Sequence, residues 1–81
     1  MGDYNSAIEY YKRAEKLNPN NTETPYYIGY LYSEQKNWAL AEAYLKKALQ
    51  LNPQSDAKEL LSYVVQNGSL TVLNEGIDLY E

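Results

Sequence analysis

The chain has no cysteine and no histidine. The first absence removes disulfides, a thiolate nucleophile and zinc knuckles. The second removes a Ser-His dyad and imidazole metal ligands. Any chemistry would rest on carboxylates, lysines or tyrosines. Basic residues are scarce too: seven Lys and Arg face eleven Asp and Glu, and the net charge of −4 is the wrong sign for holding phosphate backbones. Phenylalanine is absent, whereas tyrosine occurs ten times beside a single tryptophan. Aromatic surface in this chain therefore carries a polar tip, which suits half-buried positions. Long apolar runs are missing as well. The stretch from Tyr26 to Tyr32 is broken by Gly29 and is far too short to span a bilayer. No signal-peptide pattern opens the chain, so the expectation is a cytoplasmic protein without membrane contact.

What is present is ordinary for a folded domain: 81 residues, 44% hydrophobic and 22% charged. One small domain of this size buries about 60–65% of the surface its unfolded chain exposes. Met1-Gly2-Asp3-Tyr4-Asn5-Ser6 matches the short myristoylation pattern, but no basic cluster follows to add a second anchoring signal. Asn20-Asn21-Thr22 and Asn67-Gly68-Ser69 match glycosylation sequons, which carry little weight without a secretory signal.

Internal similarity organises the sequence. Shifted by 34, residues 7–19 fall on 41–53 and pair Ala7 with Ala41, Tyr10 with Tyr44, Lys12 with Lys46, Ala14 with Ala48 and Leu17-Asn18-Pro19 with Leu51-Asn52-Pro53. Each copy reads as an amphipathic helix. Tyr4, Ala7, Tyr11 and Ala14 make one stripe, and Trp38, Ala41, Leu45 and Ala48 repeat it. Asp3 and Asn37 stand where N-caps belong. Lys12, Arg13 and Lys16 complement the dipole late in the first copy, as do Lys46 and Lys47 in the second. Asn-Pro ends each, because a residue before proline leaves the α region. Glu9/Arg13 and Glu42/Lys46 are i, i+4 pairs.

A different helix, roughly 22–35, lies between them. Pro25 is tolerated in its first turn, with Thr22 or Thr24 as candidate cap. Pro25, Ile28, Gly29 and Tyr32 form its inner stripe. A glycine inside a helix costs about 1 kcal/mol relative to alanine, and close approach of a neighbouring helix would offset that.

On these residues the chain resembles a tetratricopeptide repeat protein. Ile28-Gly29, Tyr32, Ala41, Leu45, Ala48 and Pro53 stand on signature positions of a complete repeat over 22–53. Pro25 replaces the usual tryptophan, and Lys36 the glycine usual in the inter-helix turn. Residues 2–19 resemble the second helix of a preceding repeat whose first helix is missing, as in a truncated array, and Gly2-Asp3-Tyr4 matches its turn. The resemblance implies an all-α fold: antiparallel helix pairs stacked as a short right-handed superhelix, about five helices in all. It also implies protein binding on a concave face, without catalysis or cofactor.

Residues 54–81 fit less simply. Strict 34-residue register would bury Glu59 and Gln66, at several kcal/mol if unpaired. A connection shorter by two places Ala57, Leu60, Leu61 and Val64 on an inner stripe, with Ser55 as cap and Gly68 at a turn. Leu70, Leu73, Ile77 and Tyr80 then form a last stripe, with Gly76 inviting fraying. The expectation is a degenerate third repeat.

By the resemblance, Glu23, Tyr26, Tyr30, Ser33 and Glu34 face the concave side. Tyr26, Tyr30 and Ser33 fall at i, i+4, i+7, apart from the Ile28/Gly29/Tyr32 stripe. Exposed tyrosines make rigid contact area with a hydrogen-bonding tip. Chaperone-binding members clamp a C-terminal carboxylate with lysine and asparagine at the places here held by Tyr26 and Tyr30. With Glu23 and Glu34 beside them, an apolar or basic segment is the expected partner rather than an acidic tail. General acid–base work with the paired carboxylates Asp56/Glu59 or Glu23/Glu34 needs one carboxyl in an apolar pocket. Asp56 and Glu59 fall in a helix's first turn, where negative charge is simply favourable, so catalysis is not expected. No cluster has the spacing of a calcium loop, and tyrosines without a basic groove do not make a nucleic-acid site. The rival expectation is a self-associating piece of a longer scaffold, forming a homo-dimer through residues 3–17 or 70–80.

Overall fold

In a computed structural model, the backbone is described over residues 3–80 and the side chains over 3–68. The described chain is all-helical: α1 (Tyr4–Leu17), α2 (Glu23–Glu34), α3 (Trp38–Leu51) and α4 (Ala57–Tyr80). Each helix packs on the next in sequence, and α2 also reaches α4.

The two copies of the repeat fold alike. Asp3 caps α1, its Oδ1 accepting from Ser6 N at 3.2 Å while Ser6 Oγ donates to Oδ2 at 2.7 Å. The Ser6 hydroxyl and amide together hold the Asp3 carboxyl below its ordinary value. Asn37 caps α3 through a longer contact from Leu40 N, 3.4 Å. Both helices stop at the residue before proline, Asn18 at φ −143° and Asn52 at φ −148°, and each of these donates its N–H back to an alanine carbonyl four residues earlier. Lys46 and Lys47 sit too early to meet the end of α3 and instead serve ion pairs. Lys46 reaches Glu42 at 2.8 Å within the helix. Lys47 reaches across to Glu15 on α1 at 2.6 Å, where the buried Oε2 has that charge as compensation but no aligned hydrogen bond. No ion pair joins Glu9 and Arg13 among the described residues.

The core lies where the stripes meet. Ile28, Ala41, Leu45, Ala48 and Ala57 are wholly buried, with Val64, Ile8 and Tyr32 nearly so. Tyr4, Ala7, Tyr11 and Ala14 are half-buried, and Ile8, absent from the sequence stripe, is the best buried residue of α1. In α2 every member of the stripe Pro25, Ile28, Gly29, Tyr32 is buried. Thr22 stands at the N-cap position of α2, but its side chain makes no capping hydrogen bond. Asn21 Oδ1 accepts from Glu23 N at 3.0 Å, and Thr24 is buried in the first turn.

The α2–α3 turn is a Schellman arrangement. Lys36 sits at φ +62°, its N–H donating to Ser33 O and that of Asn37 to Tyr32 O. Gly29 marks a close approach of the two helices: a Cβ there would stand 2.7 Å from Leu45 Cγ, 2.8 Å from Leu45 Cδ2 and 3.2 Å from Ala41 O.

Residues 57–80 correct one expectation. They form a single helix, so four helices are described rather than five, and Gly68 is not a turn. The shortened register does hold over the first half. Ala57 and Val64 are buried, Leu60 and Leu61 pack against the core, and Glu59 and Gln66 stay exposed. Ser55 Oγ accepts from Ala57 N, as expected of a cap. A lone glycine costs a helix only about 1 kcal/mol and no proline follows it, so the backbone runs on. Gly68 instead gives room to Trp38, whose Cβ would lie 3.3 Å from an added Cβ. The side chains of Leu70, Leu73, Ile77 and Tyr80 lie outside the described residues, as do Met1 and Gly2.

Two substitutions test this packing. Gly29→Ala is expected to destabilise by about 1–2 kcal/mol net in urea unfolding, because overpacking against buried Leu45 outweighs the gain in helix propensity. Lys36→Gly is expected to stabilise by about 0.5–1 kcal/mol and raise the thermal midpoint, because it relieves the left-handed backbone strain. A stabilised Gly29→Ala or a destabilised Lys36→Gly would contradict the geometry.

Candidate functional site

Helix α2 carries no lysine or arginine. Its core-facing stripe is spent on α3, which leaves Glu23, Tyr26, Tyr27, Tyr30 and Glu34 on its other sides. Glu23 and Glu34 are exposed, Tyr30 is 43% exposed, and Tyr26 is half-buried against the core. Ser33 does not join them. It is buried, and its hydroxyl donates to Tyr30 O at 2.6 Å, so the i, i+4, i+7 spacing placed it one face too far out. The backbone bond of a serine to the preceding turn is a standing alternative to an outward pose.

Tyr30 lies in an acidic neighbourhood. The negative charge of Glu34 raises its phenol pKa above the ordinary value, helped by a hydrogen bond to the same carboxylate, by burial and by the nearby rings of Tyr4 and Tyr26.

The sequence stripe missed a second group of rings. Tyr27, 40% exposed, stacks on Tyr11 with centroids 5.4 Å apart and planes at 23°. Tyr10 meets Tyr11 edge-on at 5.4 Å, and Tyr26 meets Tyr27 likewise. The result is a run of four rings, Tyr10–Tyr11–Tyr27–Tyr26, crossing from α1 to α2. The adjacent pairs Tyr10-Tyr11 and Tyr26-Tyr27 were a signal for it, but which rings meet depends on the packing of α1 against α2. A separate contact sets Lys12 Nζ 5.6 Å over the Tyr32 ring, and a hydrogen bond to that phenol raises the lysine's pKa.

Beside Tyr26 and Tyr27 a half-open cleft of about 280 Å³ runs between the first turn of α2 and the loop entering α4. Thr22 and Glu23 flank the rings on one side, and Asn52, Gln54, Ser55 and Asp56 form the other. Thr22 therefore lines this cleft from the N-cap position of α2. The carboxylate pairs weighed as acid–base candidates do not share a pocket: Asp56 borders the cleft without Glu59, and Glu23 borders it without Glu34. Among the described residues no group of three acidic side chains could hold a metal ion, and no described helix is long and apolar enough to cross a membrane. The arrangement offers ring faces, phenol tips and carboxylates, the equipment of a binding surface.

With the charge of Glu34 beside it, Tyr30 is expected to ionise at higher pH than an ordinary tyrosine. Glu34→Gln should bring it back down, since removing the negative charge makes the phenolate cheaper. NMR titration of the tyrosine ring resonances reads this directly, and an unmoved Tyr30 would mean that the contact is absent in solution.

Comparison with known sequences agrees with this architecture. The sequence pattern of the tetratricopeptide repeat matches residues 1–62, and no curated protein matches the chain.

Proposed function

The chain belongs to the tetratricopeptide repeat family, whose members generally bind other proteins and are typically non-enzymatic scaffolds, and from that premise we propose that α2 presents a recognition face for a peptide or extended segment of a partner protein. The observation that carries the reading is the make-up of that face: Tyr26 and Tyr30 set between Glu23 and Glu34, with no basic residue on the helix. Tyrosines supply area at low cost in side-chain entropy, and they hydrogen-bond at the tip. The carboxylates bias the partner toward apolar or basic segments and against acidic tails. Ser33, buried as it is, takes no direct part.

A second reading has its own support in α1. Tyr10 is 68% exposed, Tyr4, Ala7 and Tyr11 are only half-buried, and among the described elements the α1 backbone packs closely on α2, with α3 reaching it through the Lys47–Glu15 ion pair. Apolar area of this kind favours association, here through residues 3–17 of a second copy.

Random-peptide display on the chain beside the Tyr26→Ala/Tyr30→Ala variant separates the two. Enrichment of a shared motif, weakened about tenfold or more in the folded double variant, is the expected result; loss of two central tyrosines commonly costs that much. No enrichment, together with a scattering mass that rises with concentration, would replace peptide recognition by self-association.

A further inference from the structure

The cleft at the first turn of α2 is more selective than the open tyrosine face. At about 280 Å³ it lies at the lower edge of the roughly 300–1,000 Å³ of pockets that take cofactors or drug-sized ligands, a size that suits one long side chain. One wall is aromatic, Tyr26 and Tyr27, whose rings meet edge to face at 5.4 Å. The other is the polar loop into α4. Much of that loop is already engaged: Asn52 Oδ1 accepts from Gln54 N at 3.1 Å, and Ser55 Oγ accepts from Ala57 N at 3.1 Å. The charged groups bordering the cleft, Glu23 and Asp56, are both negative, and neither forms an ion pair among the described residues.

We propose that this cleft receives the side chain of an arginine from the partner's segment, its guanidinium against the rings of Tyr26 and Tyr27 and its N–H fork on the carboxylates of Glu23 and Asp56. The inference rests on reading α2 as the recognition face and names what enters it. An acidic group would be repelled. An apolar one would strip water from two carboxylates without compensation. A cation satisfies both walls, through the ring quadrupole and through charge-assisted hydrogen bonds. Arginine is favoured over lysine because its planar head stacks and forks at once, whereas ammonium is a compact, strongly hydrated point charge. The chain already holds one cation over a tyrosine ring, Lys12 on Tyr32.

The charge layout of the whole molecule points the same way. Lys12, Arg13, Lys16, Lys46 and Lys47 lie on α1 and α3, and these are five of the seven basic residues. Of the other two, Lys36 is in the α2–α3 turn, and Lys58 is exposed on α4 and does not line the cleft. A basic segment therefore approaches the first turn of α2 with carboxylates ahead of it, and such fields speed encounter at low salt.

The test is a backbone-amide NMR titration of the full chain with N-acetyl-arginine amide, its lysine counterpart and the neutral citrulline counterpart, at low ionic strength. Arginine amide should shift the amides of residues 22–27 and 52–56, about fivefold or more tighter than citrulline and tighter than lysine. Glu23→Gln/Asp56→Asn, checked for fold by circular dichroism, should lose that response. Glu9→Gln, on α1 and outside the cleft, should keep it. Equal responses to arginine and citrulline, shifts scattered over the other carboxylates, or a response surviving in Glu23→Gln/Asp56→Asn would each overturn the proposal. Lysine binding as tightly as arginine would overturn the guanidinium assignment. A display-selected motif without arginine, beside a silent titration, would remove the cleft and leave the recognition face standing. An arginine response without any selected peptide would do the reverse.

Discussion

The α2–α3 contact at Gly29 is the constraint on which the rest depends. Without a Cβ at that position the two helices close until Leu45 fills the space, with Ala41 and Ala48 beside it all wholly buried. Small residues bring the backbones together and one leucine locks them. The turn above the contact must then be short, and it is: Lys36 accepts a left-handed backbone so that Asn37 can finish α2 and cap α3 at once. In a chain this small, with no disulfide to help, such local economy matters because little core is available.

That packing decides what α2 can offer a partner. Once Pro25, Ile28, Gly29 and Tyr32 are committed to the core, the helix has tyrosines and carboxylates left over and no positive charge. Five of the seven cations are on α1 and α3, where Lys46 and Lys47 are occupied in ion pairs and Lys12 lies on a ring. Helix α2 is thus acidic alone whereas α1 and α3 carry both signs, a property of sequence that becomes a property of surface only after the helices are stacked. Interfaces built on tyrosine tolerate water and variation in the ligand, which fits a scaffold that serves as a binding module.

Where the sequence reading went astray, it did so for identifiable reasons. Gly68 looks like a turn on spacing, yet glycine is only a weak helix breaker, and here its missing side chain makes room for Trp38. Ser33 looks outward on a helical wheel, yet its short side chain folds back onto Tyr30 O and the position is buried. Thr22 and Thr24 have the composition of caps, but the amide oxygen that reaches the helix belongs to Asn21. In each case residue type was informative and the particular partner was not, because partners are chosen by side chains arriving from elsewhere or by one rotamer among several.

The sequence by itself determined the helices of the repeat, their caps at Asp3 and Asn37, their ends before proline and the close approach at Gly29, because these follow from local backbone sterics and from a periodicity carried in consecutive residues. Only the tertiary structure decided that Tyr27 stacks on Tyr11, that Lys47 reaches Glu15 and that a cleft opens between Tyr26 and Asp56. Those contacts join residues far apart in the chain, and their geometry is set by how neighbouring helices pack rather than by any spacing within one of them.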